Sequence, residues 1–338
     1  VSEATPIRRS KRPAALGTAA FAQGRVTKGE LVLTSHVGAA VAAPVMVASG
    51  EKAGPVLWVQ AAIHGGEVGG TLALARLFRR LDLAAMSGSI AAVLVANPLA
   101  FRAQTRNSPE DGENMNRLFP ADTGGTITRQ MAQSLFEAAA ETADVVMDLH
   151  SGGVECIVPF YALYWDEGSP ASEASARYAR SAGTEIVWRA RDAVLGGAMF
   201  ASLTRRGIPS IIVECGGGGA MPDAHIDSFV AATIGVARAM EILPGGEVRQ
   251  PRYRTIGSCD FVFTRAGGFF EPVCEVGDTV VAGAALGRVI DVFGDEREQI
   301  IARMSGFVAA IGRRFLPVHA GALVAELNED FGFDQPPP

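Results

Sequence analysis

The sequence predicts an α/β domain followed by a small all-β domain. Up to about residue 245, apolar runs that close on glycine-rich turns alternate with stretches of helical periodicity. Beyond residue 251 that periodicity stops, and short β-like segments follow, separated by Gly, Pro and Asp. A chain of 338 residues is also too long for one small core.

Residues 1–30 read as an N-terminal arm. The run RRSKR (Arg8 to Arg12) gives it a basic character, and PAALGTAAFA follows. A basic leader with an AFA-type cleavage site is the alternative reading, but the apolar stretch is short and opens on Pro13. From Leu31, LVLTSHV, PVMVASG and PVLWVQAAI (55–63) read as strands. HGGEVGG then turns the chain into TLALARLFRRLDL (71–83), whose apolar residues recur at helical spacing with arginines opposite. The alternation continues through a strand at 89–98, a helix at 128–143, a buried strand DVVMDLH (144–150) and helices at 171–183 and 196–207. PSIIVECGGGG (209–219) is another buried strand, and a helix covers 224–243. A long polar loop joins Asn97 to Pro120, and loops of that length are often functional. The α/β domain therefore spans 31–245 and the β domain 251–330; the tail DQPPP reads as frayed.

Composition narrows the functions. Apolar residues make up 48% and charged residues 20%, as in compact proteins. A net charge of −6 argues against nucleic acid, whose phosphates reward clustered cations. No apolar run reaches the length of a membrane span. Cys156, Cys215, Cys259 and Cys274 form no CxxC pair, so reduced thiols in a cytoplasmic protein fit best. Lys11, Lys28 and Lys52 are the only lysines, which excludes a Schiff base or lysine-linked cofactor after residue 52.

Each candidate ligand follows a predicted strand. His64 and Glu67 form an HxxE pair after 55–63, and His150 closes 144–150. Neighbouring parallel strands would bring the three together at one sheet edge. Two imidazoles and a carboxylate leave a fourth zinc position open, as catalytic zinc requires. HxxE alone is a weak signal, and its plain reading is a pair of hydrogen-bonded polar residues. Glu214 ends the apolar run PSIIVE, where an unpaired carboxylate is costly. It reads as a general base or as a salt-bridged acid. In the 97–120 loop, Arg106, Asn116 and Arg117 read as a carboxylate clamp and oxyanion donor, or as surface groups. Neither GxGxxG, GxxxxGK[ST] nor GxSxG occurs, which leaves nucleotide and serine-hydrolase sites without support. His36, His225 and His319 have no matching partners and read as structural.

IHGGE (63–67), NP (97–98), TRNSPEDGENMNRLFP (105–120), DLHSGG (148–153) and VECGGGG (213–219) together resemble the succinylglutamate desuccinylase/aspartoacylase branch of the zinc metallocarboxypeptidase superfamily. The resemblance runs over roughly residues 30–330. It implies a three-layer α/β/α zinc-carboxypeptidase-like domain with a mixed sheet. It also implies one zinc ion per chain on His64, Glu67 and His150, with Glu214 as the catalytic carboxylate. Arg106 would polarise the scissile carbonyl, and Asn116 and Arg117 would grip the substrate carboxylate. Relatives often carry Asp or Asn where this chain has Gly66, and Arg189, Arg191, Arg205 and Tyr161 are further substrate-side candidates. GGFFEPVCEVGDTVVAGAALGRV followed by ARMSGFV resembles a biotinyl/lipoyl-like barrel, but without a lysine near Met304 it cannot carry a swinging arm.

The expected function is hydrolysis of the amide bond of a small N-acylated amino acid or close analogue, with a small-molecule substrate and neither nucleic-acid nor membrane partner. A zinc carboxypeptidase or peptidoglycan-type peptidase is the second reading, and a non-catalytic zinc-binding module the third. A homo-oligomer is compatible with the sequence.

Overall fold

Twelve strands join in one mixed sheet in the computed structural model, which describes residues 13–121 and 124–334. The basic run Arg8 to Arg12 and the last four residues of the tail lie outside the described residues. At the centre, Lys52–Ala61, Val145–His150 and Ser210–Gly217 lie side by side and parallel. Ser87–Val93 extends them in parallel, and the antiparallel pair Ala39–Ser49 and Arg25–His36 completes that edge. The edge strand begins at Arg25, inside the stretch read as an arm.

The central strands are largely apolar because both faces are covered. Along Lys52–Ala61, Val56 and Trp58 face one core while Leu57 and Val59 face another. Helices Gly69–Phe78, Pro170–Ser181 and Asp223–Ala239 pack with the second core, and Ile127–Thr142 and Met199–Arg205 with the first. Thr126 caps Ile127–Thr142 by accepting the Arg129 N–H, and Ser169 caps Pro170–Ser181 by accepting the Ser172 N–H. No helix among the described residues is long and apolar enough to cross a membrane.

Two strands that the periodicity did not reveal, Cys156–Trp165 and Ile186–Ala190, lie beyond Ser210–Gly217. They lead into the C-terminal region, which is β-rich as expected. Its strands divide between two sheets. Glu296–Ile301, Ala285–Ile290, Gly268–Pro272 and Leu316–Val318 form a separate four-stranded sheet. Arg254–Phe263, Leu323–Phe333, Gly306–Gly312 and Thr279–Val280 instead continue the central sheet, starting where Thr255 pairs in parallel with Val187.

Candidate metal centre and active site

The three parallel strands at the sheet centre end together, and the chemistry collects at their carboxyl ends. The register sets Ala61 beside Leu149, and His150 beside Glu214. The chain leaving Lys52–Ala61 turns through His64 and Gly65, and Glu67 arrives just before helix Gly69–Phe78. Gly65 makes this turn possible: its N–H donates to the Thr105 carbonyl at 2.8 Å, and a Cβ there would lie 2.0 Å from the Ala100 carbonyl oxygen.

His64, Glu67 and His150 are each 3% exposed, and one ligand atom from each lies within 4.8 Å of the others. His64 Nδ1 is 2.8 Å from Glu67 Oε1, and His150 Nδ1 is 3.0 Å from Glu67 Oε2. The outward nitrogens are also held. His64 Nε2 donates to Asn114 Oδ1 at 3.1 Å, and His150 Nε2 lies 3.1 Å from Asp148 Oδ2. An imidazole fixed through Nε2 presents Nδ1, the arrangement that orients metal-ligating histidines. The buried group is therefore consistent with a metal ion, and its nitrogen–oxygen donor set suits one.

Electrostatics separate the roles. Burial, aided by the Arg106 charge, lowers the His64 pKa to about 4 and keeps the ring neutral. His150 moves the other way: burial opposes its charged form, but Asp148 and Glu67 outweigh burial and raise its pKa. Glu67 is also opposed by burial, yet the two imidazoles hold its carboxyl well below the ordinary range. Burial pushes Glu214 up to about 8, with the Glu67 and Glu326 carboxylates adding to the effect and His150 and Arg106 opposing it. Glu214 Oε2 finds no hydrogen-bond partner among the described residues.

The 97–120 loop closes over this edge. Helix Pro98–Ala103, capped by the Asn97 side chain, anchors its start. Arg106 Nη1 reaches Glu67 Oε1 at 3.4 Å, and the arginine remains 45% exposed beside the ligands. The Asn114 side chain also accepts the Asn116 N–H, so one residue holds both a candidate ligand and the short turn Met115–Arg117. Asn116 is buried, with Oδ1 accepting the Met199 N–H and Nδ2 3.4 Å from His150 Nε2. Arg117 donates to the Asn116 carbonyl and forms no ion pair among the described residues. Burial and Arg106 lower its pKa to about 10. A cleft lined by His64, Gly66, Glu67, Arg106, Gly152 and Val154 opens onto the centre.

His64, Glu67, His150, Glu214, Arg106, Asn116 and Arg117 thus come together at one edge. Of the additional candidates, Tyr161 joins them, paired in register with Glu214. Arg189 and Arg191 are exposed and held by Asp166, and Arg205 lies over the Trp165 ring. Asp148, Asn114 and Glu326 escaped the sequence reading. Asp148 stands two residues before His150, a spacing that in a strand returns to the same face, whereas Asn114 opens the short turn Met115–Arg117 and carries no such signal. A larger surface cavity of about 390 Å³, lined by Arg177, Arg180, Glu247, Arg249 and Tyr253, is elsewhere, and two of its arginines pair with Asp334 and Glu247.

Residues 53–240 match the family model of the succinylglutamate desuccinylase/aspartoacylase catalytic domain. The chain is 30% identical over 299 residues to an N-alpha-acetyl-L-2,4-diaminobutyric acid deacetylase from Halomonas elongata, covering 82% of this chain and 84% of that protein. Among solved structures it is similar to a succinylglutamate desuccinylase from Silicibacter sp. TM1040, with 25% identity and a TM-score of 0.82, covering 93% of this chain and 97% of that one. A product-bound ectoine utilization protein EutE (DoeB) from Ruegeria pomeroyi gives the same identity and TM-score, covering 92% and 98%.

Proposed function

The chain belongs to the succinylglutamate desuccinylase/aspartoacylase family, and from that premise we propose that it is a zinc-dependent deacylase of small N-acylated amino acids. The observation that carries the proposal is the unpaired carboxyl of Glu214 next in register to His150, one of three buried residues able to share a metal ion. Zinc held by His64, Glu67 and His150 would supply a Lewis acid and an acidified water.

The chain's own residues supply the rest. Glu214 takes a proton from the attacking water and returns it to the leaving amine nitrogen. Arg106, steadied by Glu67, offers its free N–H groups to the carbonyl oxygen as negative charge develops there. Arg117, without a carboxylate of its own, binds the substrate's carboxylate through its planar fork, and the Asn116 amide nitrogen assists.

The test is a metal analysis with a panel of N-acetyl, N-succinyl and N-formyl amino acids, run with and without chelator. The Halomonas elongata relative makes Nα-acetyl-L-2,4-diaminobutyric acid the first compound to assay. The expected result is about one zinc per chain and chelator-sensitive release of free amino acid. Glu214→Gln should keep the metal and lower kcat by about 10²–10⁴-fold. Turnover of peptides alone would favour a peptidase, and near-wild-type turnover by Glu214→Gln would remove Glu214 from the mechanism.

A further inference from the structure

We infer that Glu326 is the specificity residue of this site and binds a cationic amine on the substrate's side chain. The inference rests on the deacylase reading and adds what that reading leaves open, the class of amino acid released.

Glu326 comes from the C-terminal region, in strand Leu323–Phe333. Its register neighbours are Phe261 on one side and Ala310 on the other. Residues paired across a sheet share a face. Phe261 and Ala310 both pack in the cluster that contains Tyr161, and Tyr161 is the register neighbour of Glu214. The continuous sheet thus carries Glu326, Tyr161 and Glu214 on one face, with Arg106 and Arg117 near enough to act electrostatically on Glu326.

Among the described residues Glu326 takes no hydrogen bond or ion pair, although it is only partly exposed. A carboxylate so placed is costly unless a cation meets it. Arg117 and Arg106 lie beyond ion-pair distance, and the proposed reaction engages them with the substrate's carboxylate and carbonyl. A substrate ammonium arriving there would meet a carboxyl group that has no cation of its own. Burial raises the Glu326 pKa despite the two arginines, and an arriving ammonium would restore the carboxylate. An acidic side chain offers Glu326 no such partner, so this residue favours diamino acids over dicarboxylic ones.

The experiment compares kcat/KM on Nα-acetyl-2,4-diaminobutyrate, its amine-free isostere Nα-acetyl-2-aminobutyrate, and N-acetylaspartate. Wild type should prefer the first. Glu326→Gln should lower the ratio of the first to the second by about 10–10²-fold, the range for a hydrogen bond to a charged group, mainly through KM. Glu326→Asp, which keeps the charge, should retain part of the preference. Equal losses on all three substrates, or a ratio indifferent to position 326, would overturn the inference and leave the deacylase reading standing. A wild-type protein inert toward every N-acyl amino acid would overturn that reading first.

Discussion

Without a metal ion, Glu214 occupies a place where a carboxyl group keeps its proton. Its pKa stands near 8 against an ordinary 4.5, with burial the main cause. In metal-free protein the folded state therefore holds a proton that the unfolded chain has released. The resulting stabilisation is complete below about pH 4.5 and declines as pH rises through 8. Gln cannot titrate. For chelator-treated protein, the melting temperature of Glu214→Gln relative to wild type should thus climb between pH 5 and pH 9. A difference independent of pH would mean that Glu214 is already ionised in the fold. Arg106 gives a second test at this scale: Arg106→Ala should lower kcat by about 10²–10³-fold if its guanidinium meets the developing oxyanion. His150 and Glu214 were legible in the sequence because each closes or interrupts an apolar strand, where a polar group needs a reason, and His64 and Glu67 because they form an HxxE pair in the turn that follows one. Asp148 and Asn114 were not, because a residue that holds a ligand in place is recognised by its contact and not by its spacing.

At the scale of elements, strand–turn–helix units were read well where both halves carry a pattern, as in Lys52–Ala61 with Gly69–Phe78. Cys156–Trp165 was missed, and Pro159 shows why. Proline interrupts a strand pattern by removing a ladder donor. Here the register slips between Glu214 and Gly216, opposite Tyr161 and Val158, and this irregularity accommodates Pro159. The HGGE turn separates two glycines that look alike in sequence. A Cβ on Gly65 would collide with backbone of Ala100 and Phe101, while on Gly66 it would make only ordinary contacts, with Val154 Cγ1 at 3.7 Å and the Gln104 carbonyl oxygen at 3.9 Å. Gly65→Ala should therefore cost about 1–3 kcal/mol in denaturant unfolding and weaken metal retention, as overpacking does. Gly66→Ala should stay within about 0.5 kcal/mol of wild type. Equal effects at the two positions would count against this geometry for the turn.

Across the whole molecule, the change of composition near residue 245 marks where helices stop, while hydrogen bonding runs on. Composition reports local periodicity and cannot say which strand edges will meet. Arg254–Phe263 pairs with Ile186–Ala190, and Ile311 pairs with Ile157, so the C-terminal strands adjoin the strand that carries Tyr161. One apolar cluster spans the junction, with Tyr161, Trp188 and Ile212 from one side and Ile256, Phe307 and Ala309 from the other. The ion pair of Arg254 with Asp330 lies on the C-terminal side of the junction, and Glu326 on that side lies close enough to Arg106 and Arg117 to feel their charges. Residues bound into one core unfold together. Calorimetry of the intact chain should therefore show a single cooperative transition, and Glu326→Gln should leave it single. A chain ending at residue 245 should lose cooperative unfolding, because the cluster around Trp188 and Tyr161 would lose Ile256, Phe307, Ala309 and Ala310 and the Ile186–Ala190 edge would be left unpaired. Two resolved transitions, or a truncated chain that melts cooperatively and retains a metal ion, would show that the active-site half stands alone and that the C-terminal strands act only through the substrate.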